Sequence, residues 1–235
     1  MPFPYQLVIF DLDGTLVNSA LDIAEAVNRT FDDWHLPRVD QAVIRDWIGD
    51  GARVLLEHAF AHVSSDADID RVLVEHAFAH VSSDADIDRV MPGFMVHYGD
   101  CLLLHARVYP GVREALAALH AQGVHTALCT NKPQRFLTPL LQAMGVAEYF
   151  EAMIGGDTLP QRKPDAEPLL HLARRFGVAA EACLMVGDSA TDLHAAQAAK
   201  MDVALVSYGY ARGFDVHSAG ATAVVDDLRE LLALG

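Results

Sequence analysis

The hydrophobic pattern from Tyr109 onward alternates between two kinds of segment. Short apolar runs rich in β-branched residues are typical of buried strands, and apolar residues three and four positions apart are typical of amphipathic helices. Strands are predicted over 124–129, 152–154, 183–186, 203–206 and 223–225, with an earlier one over Leu7–Phe10. Helices are predicted over 112–122, 133–144 and 190–200, before Gly177 and after residue 225. The alternation predicts an α/β fold with a doubly wound parallel sheet, a Rossmann-like core covered by helices on both faces.

The segment 17–105 follows the first strand and has a different pattern. Its apolar residues recur at helical spacing, as in Ile23, Val27 and Phe31, and it lacks the alternation of a half-buried strand. We therefore predict a separate α-helical cap inserted after the first strand, with the α/β core formed by residues 1–16 and 106–235.

An internal repeat lies within this predicted cap. The segment 53–70 recurs as 71–88 with one difference, Leu56 against Val74. Such near-identity indicates a recent tandem duplication or a cloning artefact rather than an old repeat architecture. Eighteen residues make about five helical turns, so a continuous helix would keep its apolar face in phase. A break in each copy is the alternative, because both copies contain a Ser-Asp-Ala-Asp segment typical of helix starts.

The composition argues against several classes of function. The 235 residues are 52% hydrophobic and carry a formal net charge of −15, which disfavours a nucleic-acid partner and an anionic membrane surface. No apolar stretch is long enough to span a bilayer, and the first one lacks the features of a signal peptide. The three cysteines are an odd number without a zinc-binding spacing, which favours reduced thiols. We therefore expect a cytoplasmic protein without nucleic-acid or membrane partners.

Two segments of the predicted cap have the spacing of a metal site without its full ligand set. Asp66–Asp70 is spaced as in a calcium loop, but Arg71 stands where that loop needs Gly and Ala77 where it needs Glu. His58 and His62 have the spacing of a zinc-binding helix, but a third ligand is not evident. A solvated helix face is the preferred interpretation of both.

Two carboxylates follow the first predicted strand directly, in the segment Asp11-Leu-Asp13-Gly14-Thr15. In an extended segment their i, i+2 spacing points both side chains the same way, and Gly14 permits a sharp turn. Ligands of open α/β sheets bind beyond the carboxyl ends of the strands, so the pair stands where a ligand would lie. An ordinary strand-end turn that uses Asp and Gly is the alternative.

Three further polar segments fall at strand ends or on loops that can reach those ends. They are Thr130-Asn-Lys-Pro after strand 124–129, Arg162-Lys-Pro-Asp before a helix, and Gly187-Asp-Ser-Ala-Thr-Asp after strand 183–186. Together with Asp11–Thr15, these segments resemble, in order, the four motifs of the haloacid-dehalogenase-like phosphatases. Within that superfamily, Trp47–Ala52 and Tyr109–Val112 extend the resemblance to the bacterial phosphoglycolate phosphatases.

The resemblance implies a phosphatase mechanism in which Asp11 is the nucleophile. Asp11 would attack phosphorus to form an aspartyl-phosphate, which water later hydrolyses. Asp13 would protonate the departing alkoxide and then activate that water. A Mg²⁺ ion would be held by Asp11, Asp188 and the backbone carbonyl of Asp13, in keeping with its preference for oxygen ligands. The implied reaction converts 2-phosphoglycolate to glycolate and phosphate.

The resemblance also implies which residues bind the phosphate and support the metal site. Thr130 and the backbone amides around Asn131 would bind phosphoryl oxygens. Lys163 would neutralise charge on the phosphate and on the nucleophile. Asp192 would hold water or Ser189 and thereby orient the metal ligands. For Lys163 the alternative is a surface lysine before a helix, and for Thr130 it is an ordinary strand-end position.

The loop Gly49-Asp50-Gly51 is the predicted substrate contact of the cap, because glycines allow close approach of the backbone. An ordinary turn between helices is the alternative. Two other functions stay open. One is another sugar-phosphate phosphatase, or a phosphomutase, with the same core, and the other is a phosphate-binding regulatory protein whose duplicated cap no longer closes. The predicted partner is a small phosphorylated metabolite, and the predicted assembly is a monomer or a homodimer.

Overall fold

The computed structural model describes residues 3–65, 84–210 and 212–234. The chain divides into two compact units, of which the first comprises Met1–Asn18 and Arg107–Gly235 and the second comprises Ser19–Ala106. Among the described residues, no helix combines the length and the apolar character that crossing a membrane requires.

The first unit contains the strands of the described residues, and strands and helices alternate in it from 107 to 206. The strands are β1 (Leu7–Phe10), β2 (Val17–Asn18), β3 (Arg107–Val108), β4 (His125–Cys129), β5 (Ala152–Ile154), β6 (Cys183–Gly187), β7 (Asp202–Val206) and β8 (Ala223–Val225). In chain order, the α-helices of the described residues are α1 (Ala20–Asp33), α2 (Gln41–Arg45), α3 (Ala52–Ser65), α4 (Asp84–Cys101), α5 (Val112–Ala121), α6 (Leu137–Ala143), α7 (Glu167–Phe176) and α8 (Ala190–Ala199). Short 3-10 helices lie at Gln134–Phe136, Ala147–Tyr149, Ala180–Ala182 and Leu228–Ala233.

Two predicted helices differ from the observed elements. The helix predicted over 133–144 begins with the 3-10 helix Gln134–Phe136 and becomes α-helical only in α6. The helix predicted after residue 225 is the 3-10 helix Leu228–Ala233. A segment of this length closes few i→i−4 hydrogen bonds, which favours the tighter 3-10 turn.

The strands β2 and β3 form a two-stranded antiparallel ribbon. In this ribbon Val17 and Asn18 pair with residues 107–108. The sequence prediction placed both residues in a cap spanning 17–105, because a two-residue strand is too short to show an alternating pattern. The pairing adds them to the first unit, so the second unit is Ser19–Ala106.

The main sheet has the strand order β5-β4-β1-β6-β7-β8, and each neighbouring pair is parallel. β1 lies in the interior of the sheet, where Leu7 is in register with His125 of β4 and Cys183 of β6. The chain continues from β1 to β4 and β5 on one side and to β6, β7 and β8 on the other. Ligands of such sheets bind where the order reverses, beyond the carboxyl ends of the strands. Asp11 and Asp188 directly follow β1 and β6 at this point.

Helices cover both faces of the main sheet, which confirms the predicted doubly wound α/β fold. The four residues of β1 are fully buried. Leu7 and Ile9 belong to a core that includes Leu169 of α7 and Leu193 of α8, and burying one such side chain stabilises a fold by about 1.5–3 kcal/mol. On the opposite face the Phe10 ring contacts the edge of Phe150, with centroids 6.3 Å apart. β1 is therefore packed on both faces, and this packing fixes the position of Asp11, which follows it.

The second unit is helical where it is described. α1 packs against α2 and α4, and the rings of Phe31 in α1 and Phe60 in α3 lie 5.0 Å apart. The first copy of the repeat enters α3, and α4 begins within the second copy. The choice between a continuous and a broken helix concerns 66–83, which lie outside the described residues.

Of the two segments of the second unit that have the spacing of a metal site, the structure describes one. His58 and His62 are exposed on α3, in agreement with a solvated face, and their rings lie 6.3 Å and 5.4 Å from the ring of Trp47. Asp66–Asp70 lies outside the described residues. Within the described part of the second unit, no three His, Cys, Asp or Glu ligand atoms come close enough to share a metal.

Candidate active site

An ion-pair network lies at the carboxyl end of β1. Asp11 follows β1, and its backbone N–H donates to the carbonyl of Val186 on β6 at 2.9 Å. Lys163 comes from the loop before α7, and its Nζ lies 2.8 Å from Oδ1 of Asp11 and 2.6 Å from Oδ1 of Asp192. All three charged side chains are buried. Three residues that are distant in sequence therefore meet beyond the carboxyl ends of the parallel strands.

Asp188 follows β6 and is surrounded by hydrogen-bond donors. The hydroxyl of Thr15 donates to its Oδ1 at 3.2 Å, and the backbone N–H of Tyr210 donates to its Oδ2 at 2.6 Å. A Cβ at Gly14 would overlap the Asp188 carboxylate. Gly14 also has a φ of +92°, a conformation that favours glycine. The turn after β1 is thus shaped around the carboxylate of Asp188.

Asp192 connects the start of α8 to Lys163. Ser189 is the N-cap of α8, and its hydroxyl and backbone N–H donate to Oδ2 of Asp192 at 2.7 Å and 3.2 Å. The backbone N–H of Asp192 donates in return to the Ser189 hydroxyl, which completes a capping box. Oδ2 of Asp192 therefore holds Ser189, while Oδ1 pairs with the lysine.

Three buried carboxylates form a potential metal site. One oxygen each of Asp11, Asp188 and Asp192 lie within 4.8 Å of one another. A set of carboxylate oxygens suits a hard divalent cation. The carboxylate of Asp13 is not in this set, because it faces Lys132. The metal ligand that the resemblance implies for Asp13 is its backbone carbonyl, and that role stays a prediction.

Burial and mutual repulsion change the pKa values in this cluster. Removal from water raises the pKa of Asp11 to about 6, with Lys163 opposing the rise and Asp192 adding to it. The pKa of Asp188 is also raised, first by burial and then by Asp192 and Asp11. Burial disfavours the charged form of Lys163, but Asp11 and Asp192 outweigh it and raise the pKa of the lysine. The carboxylates carry more negative charge than Lys163 balances, so the cluster attracts a further cation.

The segment after β4 brings an amide and a second lysine to the site. The side-chain amide of Asn131 donates to the backbone carbonyl of Lys163 at 2.9 Å, which anchors the loop that carries this lysine. Nζ of Lys132 lies 3.1 Å and 3.3 Å from the two carboxylate oxygens of Asp13. Thr130 is buried beside them, and its hydroxyl accepts the backbone N–H of Lys132 at 3.3 Å. Phosphate binding by Thr130 and by the amides around Asn131 stays a prediction.

The loop Gly49-Asp50-Gly51 is the turn between α2 and α3 of the second unit. Gly49 has a φ of +131° and Gly51 a φ of +95°, and both conformations favour glycine. The turn itself therefore requires these two glycines. Their contact with a substrate, and that of Asp50, stays a prediction.

Three contributors to the site, one lysine and two tyrosines, are not predicted from the sequence. Lys132 lies within one of the four motifs, but the motif does not indicate its role. Tyr208 and Tyr210 lie after β7, outside the four motifs. The hydroxyl of Tyr208 donates to the backbone carbonyl of Thr15 at 2.9 Å, and Tyr210 binds Asp188. Their position beyond the carboxyl end of a neighbouring strand is the signal that would have found the two tyrosines.

Comparison with known proteins agrees with the resemblance of the motifs. The model of the haloacid dehalogenase-like hydrolase family matches residues 8–206. Phosphoglycolate phosphatases of Colwellia psychrerythraea and Pseudomonas putida are 41% and 42% identical to this chain over 227 residues, which is 97% of this chain and 95% and 78% of the relatives. A crystal structure from Haemophilus somnus, described as a predicted phosphoglycolate phosphatase, has a TM-score of 0.88 and 34% identity over 98% of both chains. The chain belongs to the haloacid dehalogenase-like hydrolases.

Proposed function

We propose that this chain is a Mg²⁺-dependent phosphatase that hydrolyses 2-phosphoglycolate to glycolate and phosphate. The observation that carries the proposal is the pairing of buried Asp11 with Lys163, beside Asp188 and Asp192, at the end of the central strand. The 41% and 42% identity to phosphoglycolate phosphatases, over nearly the whole chain, supports the choice of substrate.

Asp11 is the proposed nucleophile. One of its carboxylate oxygens attacks phosphorus, so that a bond from Asp11 to phosphorus forms while the bond from phosphorus to the glycolate oxygen breaks. Water then attacks the phosphorus of this aspartyl-phosphate, which releases phosphate and restores the carboxylate. Two such displacements replace one more difficult one. The contact with Lys163 supports this role, because it orients the carboxylate and places a positive charge where the phosphate would approach.

Asp13 is the proposed acid and base. It follows Asp11 by two residues, and its side chain is 10% exposed. Asp13 donates a proton to the leaving glycolate oxygen and later accepts one from the attacking water. An alkoxide is a poor leaving group, so the proton transfer contributes most when the substrate is an alkyl phosphate.

The residues at the site fit a magnesium ion. The proposed ligands are Asp11, Asp188 and the backbone carbonyl of Asp13, with Asp192 and Ser189 orienting the carboxylates through the capping box. When bound, Mg²⁺ supplies positive charge that offsets the repulsion between the nucleophile and an anionic phosphate. Burial raises the pKa of Asp11 and of Asp188, and the neighbouring carboxylates add to the rise, so a cation bound among them would favour the charged forms.

The proposed phosphate ligands are Thr130, the backbone amides around Asn131, and Lys163. Asn131 contributes a second effect, because its side chain holds the backbone of Lys163. We also propose a cytoplasmic location and a small-metabolite substrate, in keeping with three cysteines that are free thiols. The proposed assembly is a monomer or a homodimer.

Phosphate release from a panel of metabolite phosphates, with and without Mg²⁺, tests the proposal. We expect 2-phosphoglycolate to be the fastest substrate, with activity lost in excess chelator and restored by Mg²⁺. Ca²⁺ should inhibit, because its longer bonds and looser geometry misplace the reacting groups. Faster hydrolysis of a sugar phosphate contradicts the proposed substrate. Transfer of phosphate between sugar positions without release indicates a phosphomutase, and phosphate binding without turnover indicates a regulatory protein.

Gly209 offers a test of how the loop after β7 positions Asp188. A Cβ at Gly209 would lie 2.5 Å from Oδ2 of Asp188, so Gly209→Ala must displace the carboxylate or the loop. We expect kcat/KM to fall by about 100-fold, because a misplacement of about 1 Å can cause such a loss, and we expect weaker Mg²⁺ activation. Gly93→Ala is the control, since a Cβ there meets nothing within 4 Å. Parental kinetics in Gly209→Ala, at an unchanged melting temperature, would contradict this role of the loop.

A further inference from the structure

Lys132 is a buried cation to which the mechanism proposed above gives no role. Its side chain is fully shielded from solvent, and Nζ contacts both oxygens of Asp13 at 3.1 Å and 3.3 Å. Its backbone is fixed as well, because its carbonyl accepts the N–H of Gly156 at 2.9 Å and its N–H donates to Thr130. The ammonium group is therefore held in place beside the proposed acid before any substrate arrives.

The two buried lysines of the described residues contact different carboxylates. Lys163 lies between Asp11 and Asp192, where it faces the proposed path of the phosphate. Lys132 contacts Asp13 instead, and Asp13 is the group that must touch the leaving oxygen of the substrate. Lys132 is therefore placed towards the leaving group rather than towards the phosphoryl group.

The leaving group of 2-phosphoglycolate carries a second negative charge. Its carboxylate is joined to the leaving oxygen through one methylene carbon, so both groups reach the same small region of the site. A chain with a net charge of −15 repels this carboxylate unless a local cation receives it. A lysine ammonium is a compact positive charge, so it attracts a second carboxylate that comes close to it as well as Asp13.

We propose that Lys132 binds the carboxylate of 2-phosphoglycolate and thereby selects this substrate over phosphate esters with an uncharged leaving group. This inference rests on the function proposed above. The fixed, buried stem of Lys132 favours the role, because little conformational freedom remains to be lost when the carboxylate binds. The competing interpretation is that Lys132 only positions Asp13, in which case it serves every alkyl phosphate equally.

A comparison of two substrates separates these interpretations. 2-Hydroxyethyl phosphate has the chain length of 2-phosphoglycolate and an uncharged hydroxymethyl group in place of the carboxylate. We expect the parent enzyme to favour 2-phosphoglycolate in kcat/KM, and Lys132→Met to lower that preference by about 10- to 100-fold, the range for losing a hydrogen bond to a charged group. Lys132→Arg should retain more of the preference. Arg162→Met is the control for net charge, because Arg162 is an exposed residue of the same unit.

A binding measurement covers the case in which Lys132→Met leaves Asp13 without its ion pair and fails to fold. Asp13→Asn is the reference, and Asp13→Asn combined with Lys132→Met removes both charges of the pair. Calorimetry should show that the double variant loses affinity for 2-phosphoglycolate and little of its affinity for 2-hydroxyethyl phosphate. Equal losses on both ligands, in kinetics or in binding, overturn the inference while the proposed function stands. A parent enzyme that does not favour 2-phosphoglycolate contradicts the proposed substrate itself.

Discussion

Asp11→Asn abolishes phosphate release from 2-phosphoglycolate, with kcat expected to fall by at least about 10⁴-fold. When several catalytic residues act together, removing the nucleophile alone lowers kcat by this factor or more. An amide is a poor nucleophile, and it also removes one of the three carboxylates that surround the potential metal site. The measurement is single-turnover phosphate release with Mg²⁺ present. Parental turnover in Asp11→Asn would rule out the proposed mechanism.

Asp13→Asn is the matched comparison, because it is the same substitution two residues further on. We expect it to be nearly inactive on 2-phosphoglycolate and to lose less on aryl phosphates, whose leaving groups depart without a proton. Asp11→Asn should lose activity on both kinds of substrate, since every substrate needs the nucleophile. The same pattern in both variants would contradict the separate roles of the two carboxylates.

The fold of Asp11→Asn should remain intact. The folded protein raises the pKa of Asp11 to about 6, above its ordinary value of 3.8, so the folded state holds this proton more strongly than the unfolded state. The corresponding stability is present below pH 4 and is lost as the pH rises through about 6. Without metal at pH 8, removing this charge should therefore leave the melting temperature equal to that of the parent or higher.

The sequence predicted the sheet and the motif positions because both depend on local patterns. β1, β4 and β6 are apolar runs, and each motif begins where such a run ends. Asp11, Thr130 and Asp188 could therefore be placed at one sheet edge without knowledge of the strand order. The capping box of Ser189 and Asp192 is local as well, since both partners lie within four residues of each other.

The choice of partners across the site could not be predicted in this way. Lys132 and Asp13 are 119 positions apart, and nothing in either motif indicates which carboxylate a buried lysine contacts. The contact between Tyr210 and Asp188 depends on β7 lying next to β6, which the pattern of apolar residues does not determine. The strands β2 and β3 have two residues each, which is too short for an alternation of apolar and polar residues to show. Which side chains pair across the site thus depends on how the strands and loops pack in three dimensions. At this site, the pairing determines which carboxylates have a positive charge beside them.

The second large effect is expected for Lys163→Met. This variant removes the cation from Asp11 and Asp192, and we expect kcat to fall by about 10³-fold, the upper range for losing one group that stabilises developing charge. Breaking a buried ion pair by removing one partner costs about 3–5 kcal/mol, which corresponds to a melting temperature lower by roughly 10 °C. Steady-state kinetics with Mg²⁺ and thermal melting in excess chelator measure the two effects. Arg162→Met is the control, because it removes an exposed positive charge at the neighbouring position.

The loss of stability in Lys163→Met should depend on pH in a defined direction. Lys163 lowers the pKa of Asp11, so without the lysine this pKa rises further above the value of about 6 in the parent. The raised pKa stabilises the folded state below pH 4, and this stability is lost as the pH rises through the pKa of Asp11 in the folded protein. Because that pKa is higher in the variant, the loss continues to a higher pH and becomes larger. Without metal, the melting temperature of Lys163→Met should therefore fall further below that of the parent at pH 8 than at pH 5. An equal difference at both pH values would mean that Lys163 does not lower the pKa of Asp11, which would contradict the ion pair between the two residues.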